Sequence, residues 1–227
     1  MIKLIIFDWD DVFTQNSKKG YYTCYHEALN GVGISLSPEE EDRRIKEKWG
    51  AGHRAQLEFL LKVHPNLVDK AVEIYQYHYF GDTFVDCLTL IPGAQTLLQN
   101  LSKKYILTVA TGSHPKIIKD RLFPKFQIPD VFAQVLTIYD IDDLAHAKPH
   151  PFMVNKILES QKVKPGEAVL VGDAASDMQM AWNAGVEPIA VLTGHLSRKQ
   201  AQELGVKHII DNVTLIEPEL QRINAAA

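Results

Sequence analysis

The feature that most constrains this chain is a repeated alternation. Short apolar, β-branched runs each end in a polar or glycine-rich turn and lead into a helical pattern. The runs are LIIF (4–7), YILTVAT (105–111), FAQVLT (132–137), AVLVGD (168–173), PIAVLT (188–193) and HIID (208–211). Strand and helix alternating at this spacing predict a parallel sheet covered on both faces. One segment breaks the rule. Residues 17–88 carry helical periodicity without a comparable strand. Within it, SPEE offers Ser37 as N-cap, Pro38 at the first helical position and Glu40 to close a capping box. SRKQ, Ser197 to Gln200, repeats that box signal late in the chain. The expected architecture is therefore α/β. A doubly wound parallel-sheet (Rossmann-like) core from residues 1–16 and 89–227 is interrupted after its first strand by a helical insert at 17–88. IPGAQTLLQNL, with Pro92 and Gly93, marks the return to the core.

Composition narrows the setting. The chain has 227 residues, 46% of them hydrophobic, enough to build a full core. With 24 Lys plus Arg against 28 Asp plus Glu, net −4, there is no general attraction to nucleic acid or an anionic membrane, and neither is expected as a partner. The two cysteines, Cys24 and Cys87, form no CxxC pair, which suits a reducing compartment. The opening MIKLIIFDWD is too short an apolar run for a signal peptide or a membrane span. A cytoplasmic location follows as the expectation, and no oligomeric state is assigned.

Open parallel sheets bind ligands outside the carboxyl ends of their strands, so the residues just past each run are the candidates. After the first run, KLIIFDWDDVFTQN places Asp8, Asp10 and Asp11 together. After the second come Thr111, Gly112 and Ser113, and after AVLV come Gly172, Asp173 and, a short turn later, Asp177. Lys148 lies in AKPHP, ahead of a helical stretch. Carboxylates gathered in one crevice repel each other unless a cation sits between them. Oxygen donors without histidine point to Mg2+. Asp177 also suits the alternative of an acid favoured by the helix dipole. The nine histidines show no HxH or HExxH spacing, so no zinc site is expected, and YQYHYF (75–80) is assigned to helix packing.

FDWDDVF, VATGS, AKPHP and VGDAASDM resemble, in this order, the four motifs of the haloacid dehalogenase superfamily of phosphotransferases. The resemblance covers nearly the whole chain. The helical insert resembles the cap of the subgroup whose cap follows the first motif, and KWGAGHRAQLEFLL is similar to the cap segment of phosphoglycolate phosphatases. The resemblance implies a Mg2+-dependent phosphatase acting on a small phosphorylated metabolite. Asp8 would be the nucleophile that forms an aspartyl-phosphate, and Asp10 the acid that protonates the leaving oxygen and later deprotonates the attacking water. Mg2+ would be held by Asp8, the Asp10 backbone carbonyl and Asp173, with Asp177 acting through a water or by steering its neighbours. The Thr111 hydroxyl and Gly112 N–H would bind phosphoryl oxygens beside the charge of Lys148.

In the insert, Gly50 and Gly52 frame an expected turn ahead of His53 and Arg54. A cation at a helix start opposes the macrodipole, which makes Arg54, with His53, a candidate for binding the substrate; a solvated surface arginine is the alternative. Two departures from the family pattern stand out. Asp11 occupies the usual glycine position, and Gln15-Asn16 replaces a frequent Asp-Ser pair. Competing functions are a sugar-phosphate mutase, which keeps both acids, a phospho-accepting receiver module, and a non-catalytic sensor of a phosphorylated ligand.

Overall fold

Four consecutive apolar residues, Leu4 to Phe7, have no exposed surface at all, and the topology explains why. In the computed structural model, which describes residues 1–48, 52–141 and 143–226, they form the central strand of a parallel sheet. The strands are β1 (Leu4–Phe7), β2 (Thr14–Gln15), β3 (Thr89–Leu90), β4 (Ile106–Thr111), β5 (Phe132–Thr137), β6 (Ala168–Gly172), β7 (Glu187–Val191) and β8 (His208–Ile210). Six of them run in the order β5-β4-β1-β6-β7-β8, while β2 and β3 pair separately. All six apolar runs of the sequence are thus strands of one sheet. Asp173, Thr193 and Asp211, the ends of three runs, lie past the ladder in turns.

The register places the site. Phe7 is level with Val109 of β4 on one side and Val171 of β6 on the other, so the chain leaves β1, β4 and β6 at nearly the same height. Strand order reverses direction about β1, and the carboxyl ends at such a switch point are where open α/β sheets take their ligands. Alternation sends Leu4 and Ile6 to one face of the sheet and Ile5 and Phe7 to the other. The first pair packs with Met153, Val154 and Ile157 and with Met180 and Ala181. On the second face the Phe7 ring lies 4.8 Å from that of Phe13. Each such buried side chain contributes about 1.5–3 kcal/mol by leaving water, which fixes the height at which β1 ends.

The chain divides into two compact units, residues 1–15 with 90–227 and residues 16–89. The second contains α1 (Ser17–Gly31), α2 (Pro38–Glu47), α3 (His53–Leu60), α4 (Val68–Phe80) and α5 (Asp82–Cys87). Here α1 packs on α4 and α5. Tyr75 and Tyr79, one turn apart in YQYHYF, are buried against Tyr25 and Tyr21, whereas Tyr77 on the opposite side of the helix is exposed. Ser37 caps α2 as expected, its hydroxyl accepting the Glu40 N–H at 3.3 Å. The expected box does not close. The Glu40 carboxylate turns instead to Arg43 and Arg44, whose charged donors at i+3 and i+4 are stronger partners than a backbone amide. The Gly50 half of the expected turn lies outside the described residues.

The first unit supplies α6 (Ala94–Leu101), α7 (Pro115–Ile117), α8 (Phe123–Lys125), α9 (Phe152–Gln161), α10 (Ala175–Asn183), α11 (Arg198–Glu203) and α12 (Ile216–Ala226). A π-turn, Ile118–Leu122, joins α7 to α8. The Ser197–Gln200 box opens α11 in full. Among the described residues no helix is long and apolar enough to cross a membrane.

Candidate active site

Six of the residues that the sequence singles out, Asp8, Asp10, Thr111, Asp173 and Asp177 from the strand ends and Lys148 from AKPHP, lie at the carboxyl ends of β1, β4 and β6. Asp8 is the first residue past β1, and its N–H donates to the Val171 carbonyl at 2.8 Å, which locks it beside β6. Lys148 enters from the turn before α9. Its ammonium lies 2.9 Å from Asp8 Oδ1 and 2.7 Å from Asp177 Oδ1, bridging the two. Asp177 sits in the first turn of α10, where its other oxygen accepts the Ala174 N–H at 3.1 Å. It is thus a helix-terminal acid that is also paired with Lys148.

Asp173 follows β6 and completes the set. One carboxylate oxygen from each of Asp8, Asp173 and Asp177 lies within 4.8 Å of the others. Close packing enforces this approach. A Cβ on Gly172 would stand 2.4 Å from the Asp177 Cβ, and one on Gly194 only 1.9 Å from Asp173 Oδ2. The glycine at 194 lets the loop after β7 close on the carboxylate, where the His195 N–H donates to Asp173 Oδ2 at 2.9 Å.

The electrostatics follow from crowding. Burial, opposed by Lys148 and reinforced by Asp177, pushes the Asp8 carboxyl up to about 6. Burial and then the charges of Asp177 and Asp8 hold Asp173 well above the usual carboxylate range. For Lys148, burial works against the charge, but Asp177 and Asp8 outweigh it and keep the ammonium firmly protonated. One ammonium cannot neutralise three carboxylates. A divalent cation held by oxygen donors fits the deficit, and Asp8, Asp173 and Asp177 are the residues that could hold it.

On the other side of β1, β4 delivers Thr111 and the Gly112–Ser113 turn. Thr111 is buried, and its hydroxyl oxygen accepts the Ser113 N–H at 3.1 Å while its own proton remains available to donate. A Cβ on Gly112 would meet nothing, so the backbone there is open to approach. Asp10 is half-buried, and one of its carboxylate oxygens accepts the hydroxyl of Ser113. Asp11 does adopt the left-handed conformation that its glycine position requires, with φ 55°. Its carbonyl accepts the Thr193 hydroxyl, and its carboxylate lies in a second group with Asp173 and His195.

Arg54 and His53 belong to the helical unit. The Arg54 guanidinium pairs with Asp69 at 2.9 Å, and the His53 ring stacks on Tyr75 at 5.2 Å with Nε2 3.2 Å from the Gln76 amide nitrogen. Sequence reasoning lists Ser113 at the end of its strand without its bond to Asp10, and misses Thr193 to His195. The rule that found Asp8 applies equally to TGH after β7, but this loop acts largely through a backbone N–H, which no residue type advertises.

Comparison with known proteins agrees with this geometry. A glyceraldehyde 3-phosphate phosphatase from Pyrococcus furiosus is 27% identical over 98% of this chain and 92% of its own. A phosphoglycolate phosphatase from Vibrio vulnificus is 27% identical over 86% and 85%. The fold is shared with the crystal structure of a predicted phosphoglycolate phosphatase from Haemophilus somnus, at 20% identity, TM-score 0.81 and coverage of 96% and 98%. A family profile described as haloacid dehalogenase-like hydrolase matches residues 2–185. With the strand-end motifs brought together and most of its length matched, the chain belongs to the haloacid dehalogenase-like hydrolases.

Proposed function

We propose that the protein hydrolyses small phosphomonoesters through an aspartyl-phosphate on Asp8, using Mg2+. The observation that carries this reading is the Lys148 bridge: a largely buried ammonium within 3 Å of both Asp8 and Asp177, two of the three carboxylates that cluster with Asp173. Held by Lys148 and by its N–H bond to Val171, Asp8 is the carboxylate that would attack phosphorus in line. The Thr111 hydroxyl and Gly112 N–H donate to the phosphoryl oxygens, and Lys148 offsets the charge they carry. Asp10 gives its proton to the leaving oxygen as the phosphorus–oxygen bond breaks, then accepts one from the water that attacks the aspartyl-phosphate. When bound by Asp8, the Asp10 carbonyl and Asp173, with Asp177 in support, Mg2+ supplies the positive charge that lets an anionic nucleophile meet an anionic phosphate.

The names of the relatives favour short esters such as 2-phosphoglycolate or glyceraldehyde 3-phosphate. The unit of residues 1–15 and 90–227 would carry the chemistry, and the helical unit the choice of ester. The test is phosphate release from a panel with Mg2+ present and with chelator. The panel holds these two esters, hexose phosphates, nucleotides and pyrophosphate, with wild type beside Asp8→Asn. Turnover of a short ester that vanishes in Asp8→Asn supports the reading. Full turnover by pure Asp8→Asn overturns it, and activity that appears only with a bisphosphate activator reassigns the protein as a mutase.

A further inference from the structure

The contact that the proposed chemistry leaves unused is Ser113. Its side chain is fully buried, in the turn that follows β4, and it ties two strand ends together. Its N–H donates to the Thr111 hydroxyl oxygen at 3.1 Å, and its own hydroxyl donates to Asp10 Oδ2. A serine has one proton to donate. While it points at Asp10, it is not offered to a phosphoryl oxygen. We propose that Ser113 is a positioning residue for Asp10, orienting its carboxyl towards the leaving oxygen and stabilising the carboxylate that appears as the proton departs. The inference rests on Asp10 being the general acid of the reading above.

The balance of the step shows when the serine matters. Asp8 forms a bond to phosphorus, the bond from phosphorus to the leaving oxygen breaks, and the Asp10 proton moves to that oxygen. Asp10 ends as an anion. A hydroxyl that donates to a carboxylate is worth more to the anion than to the acid, so this bond strengthens along the reaction and acts on the rate rather than on substrate binding. The benefit is largest for alkyl esters, whose leaving oxygen needs its proton early. It is smallest for aryl phosphates, which leave as stable anions.

The experiment compares wild type, Ser113→Ala, Ser113→Cys, Ser113→Thr, Asp10→Asn and Ser113→Ala/Asp10→Asn across aryl to alkyl phosphates, with KM and kcat resolved. Ser113→Ala and Ser113→Cys should lose about 10- to 150-fold in kcat on alkyl esters, the usual worth of a hydrogen bond to a charged group, with KM little changed and less than about threefold loss on aryl phosphates. Ser113→Cys keeps the volume and serves should the alanine variant fold poorly. Ser113→Thr should recover most of the rate. The double variant should be no worse than Asp10→Asn alone, because the serine acts through the acid. Equal losses on all esters, additive losses in the double variant, or no rescue by threonine would each overturn the role of Ser113. If Asp10→Asn itself shows no preference for good leaving groups, the general-acid reading fails first, and that result is separable from the others.

Discussion

Replacing Asp8 by asparagine should stabilise the metal-free protein, with a gain that grows with pH. The carboxyl moves from 3.8 to about 6 on folding, chiefly through burial. At 1.36 kcal/mol per pKa unit this corresponds to about 3 kcal/mol, and its side chain is only 13% exposed, so water screens little of it. The sign follows from which state holds the proton more tightly. Here the folded state does, so wild-type stability is complete below about pH 4 and declines as pH rises to about 6. Asparagine has nothing to ionise. The difference between variant and wild type should therefore be small near pH 4 and reach roughly 2–3 kcal/mol near pH 7, or about 5–10 °C in thermal midpoint for a chain of this size. Asp173 is also raised, chiefly by burial but in part by the Asp8 charge, so its relief in the variant adds to the gain in the same direction. Thermal unfolding in chelator, across that pH range, measures the gap. Mg2+ at about a hundred times its dissociation constant adds about 2.7 kcal/mol to a protein that binds it and less to one lacking a ligand, so it should close the gap. A difference that stays flat with pH, or an asparagine variant less stable than wild type at neutral pH in chelator, refutes the reasoning.

Asp10→Asn should cost alkyl phosphates at least about tenfold more in kcat/KM than aryl phosphates, measured by phosphate release; equal losses exclude Asp10 as the acid. Chelation should abolish turnover, and Ca2+ should not restore it, because its looser coordination misplaces the nucleophile; full activity in chelator would assign the carboxylates another purpose. Asp11→Asn removes a charge from the group with Asp173 and His195. It should lower KM for a phosphate dianion by about three- to tenfold while raising the Mg2+ concentration for half-maximal rate, and no change in either means that Asp11 is electrically remote. Arg54→Ala should lower kcat/KM for the natural ester by an amount equivalent to about 1.5–3 kcal/mol and spare a minimal aryl phosphate. Freeing the same arginine by Asp69→Ala should cause no such loss, since an exposed pair is worth at most about 1 kcal/mol. A parallel fall on both esters counts against recognition by Arg54.

What the sequence reveals of this molecule depends on the range of the interaction concerned. The β1 run is legible because a strand buried on both faces must be apolar throughout, and its end is legible because charge begins where the ladder stops. Asp8, Thr111 and Asp173 share one rule of position, so finding one locates the others. The two-residue strands β2 and β3 are too short to carry a period and leave no trace. Glu40 shows a local limit: the capping pattern is present, but two arginines within one turn outbid the backbone for the carboxylate. The clamp on Asp173 shows a global one. Its donor is the His195 N–H, and its licence is the missing Cβ at residue 194, which the sequence records only as one glycine among 13.

The central place of β1 has a consequence for biogenesis. Leu4 pairs with Ile106 on one side and Ala168 on the other, so the first strand to be synthesised waits for both its neighbours. At about 5–20 residues per second, roughly 160 residues take on the order of ten to thirty seconds to follow it. The intervening helical unit, whose partners are closer in sequence, can form meanwhile. Throughout that interval LIIF lacks both of its strand partners, and the three aspartates directly behind it place like charge where charge opposes the pairing of one unfolded chain with another.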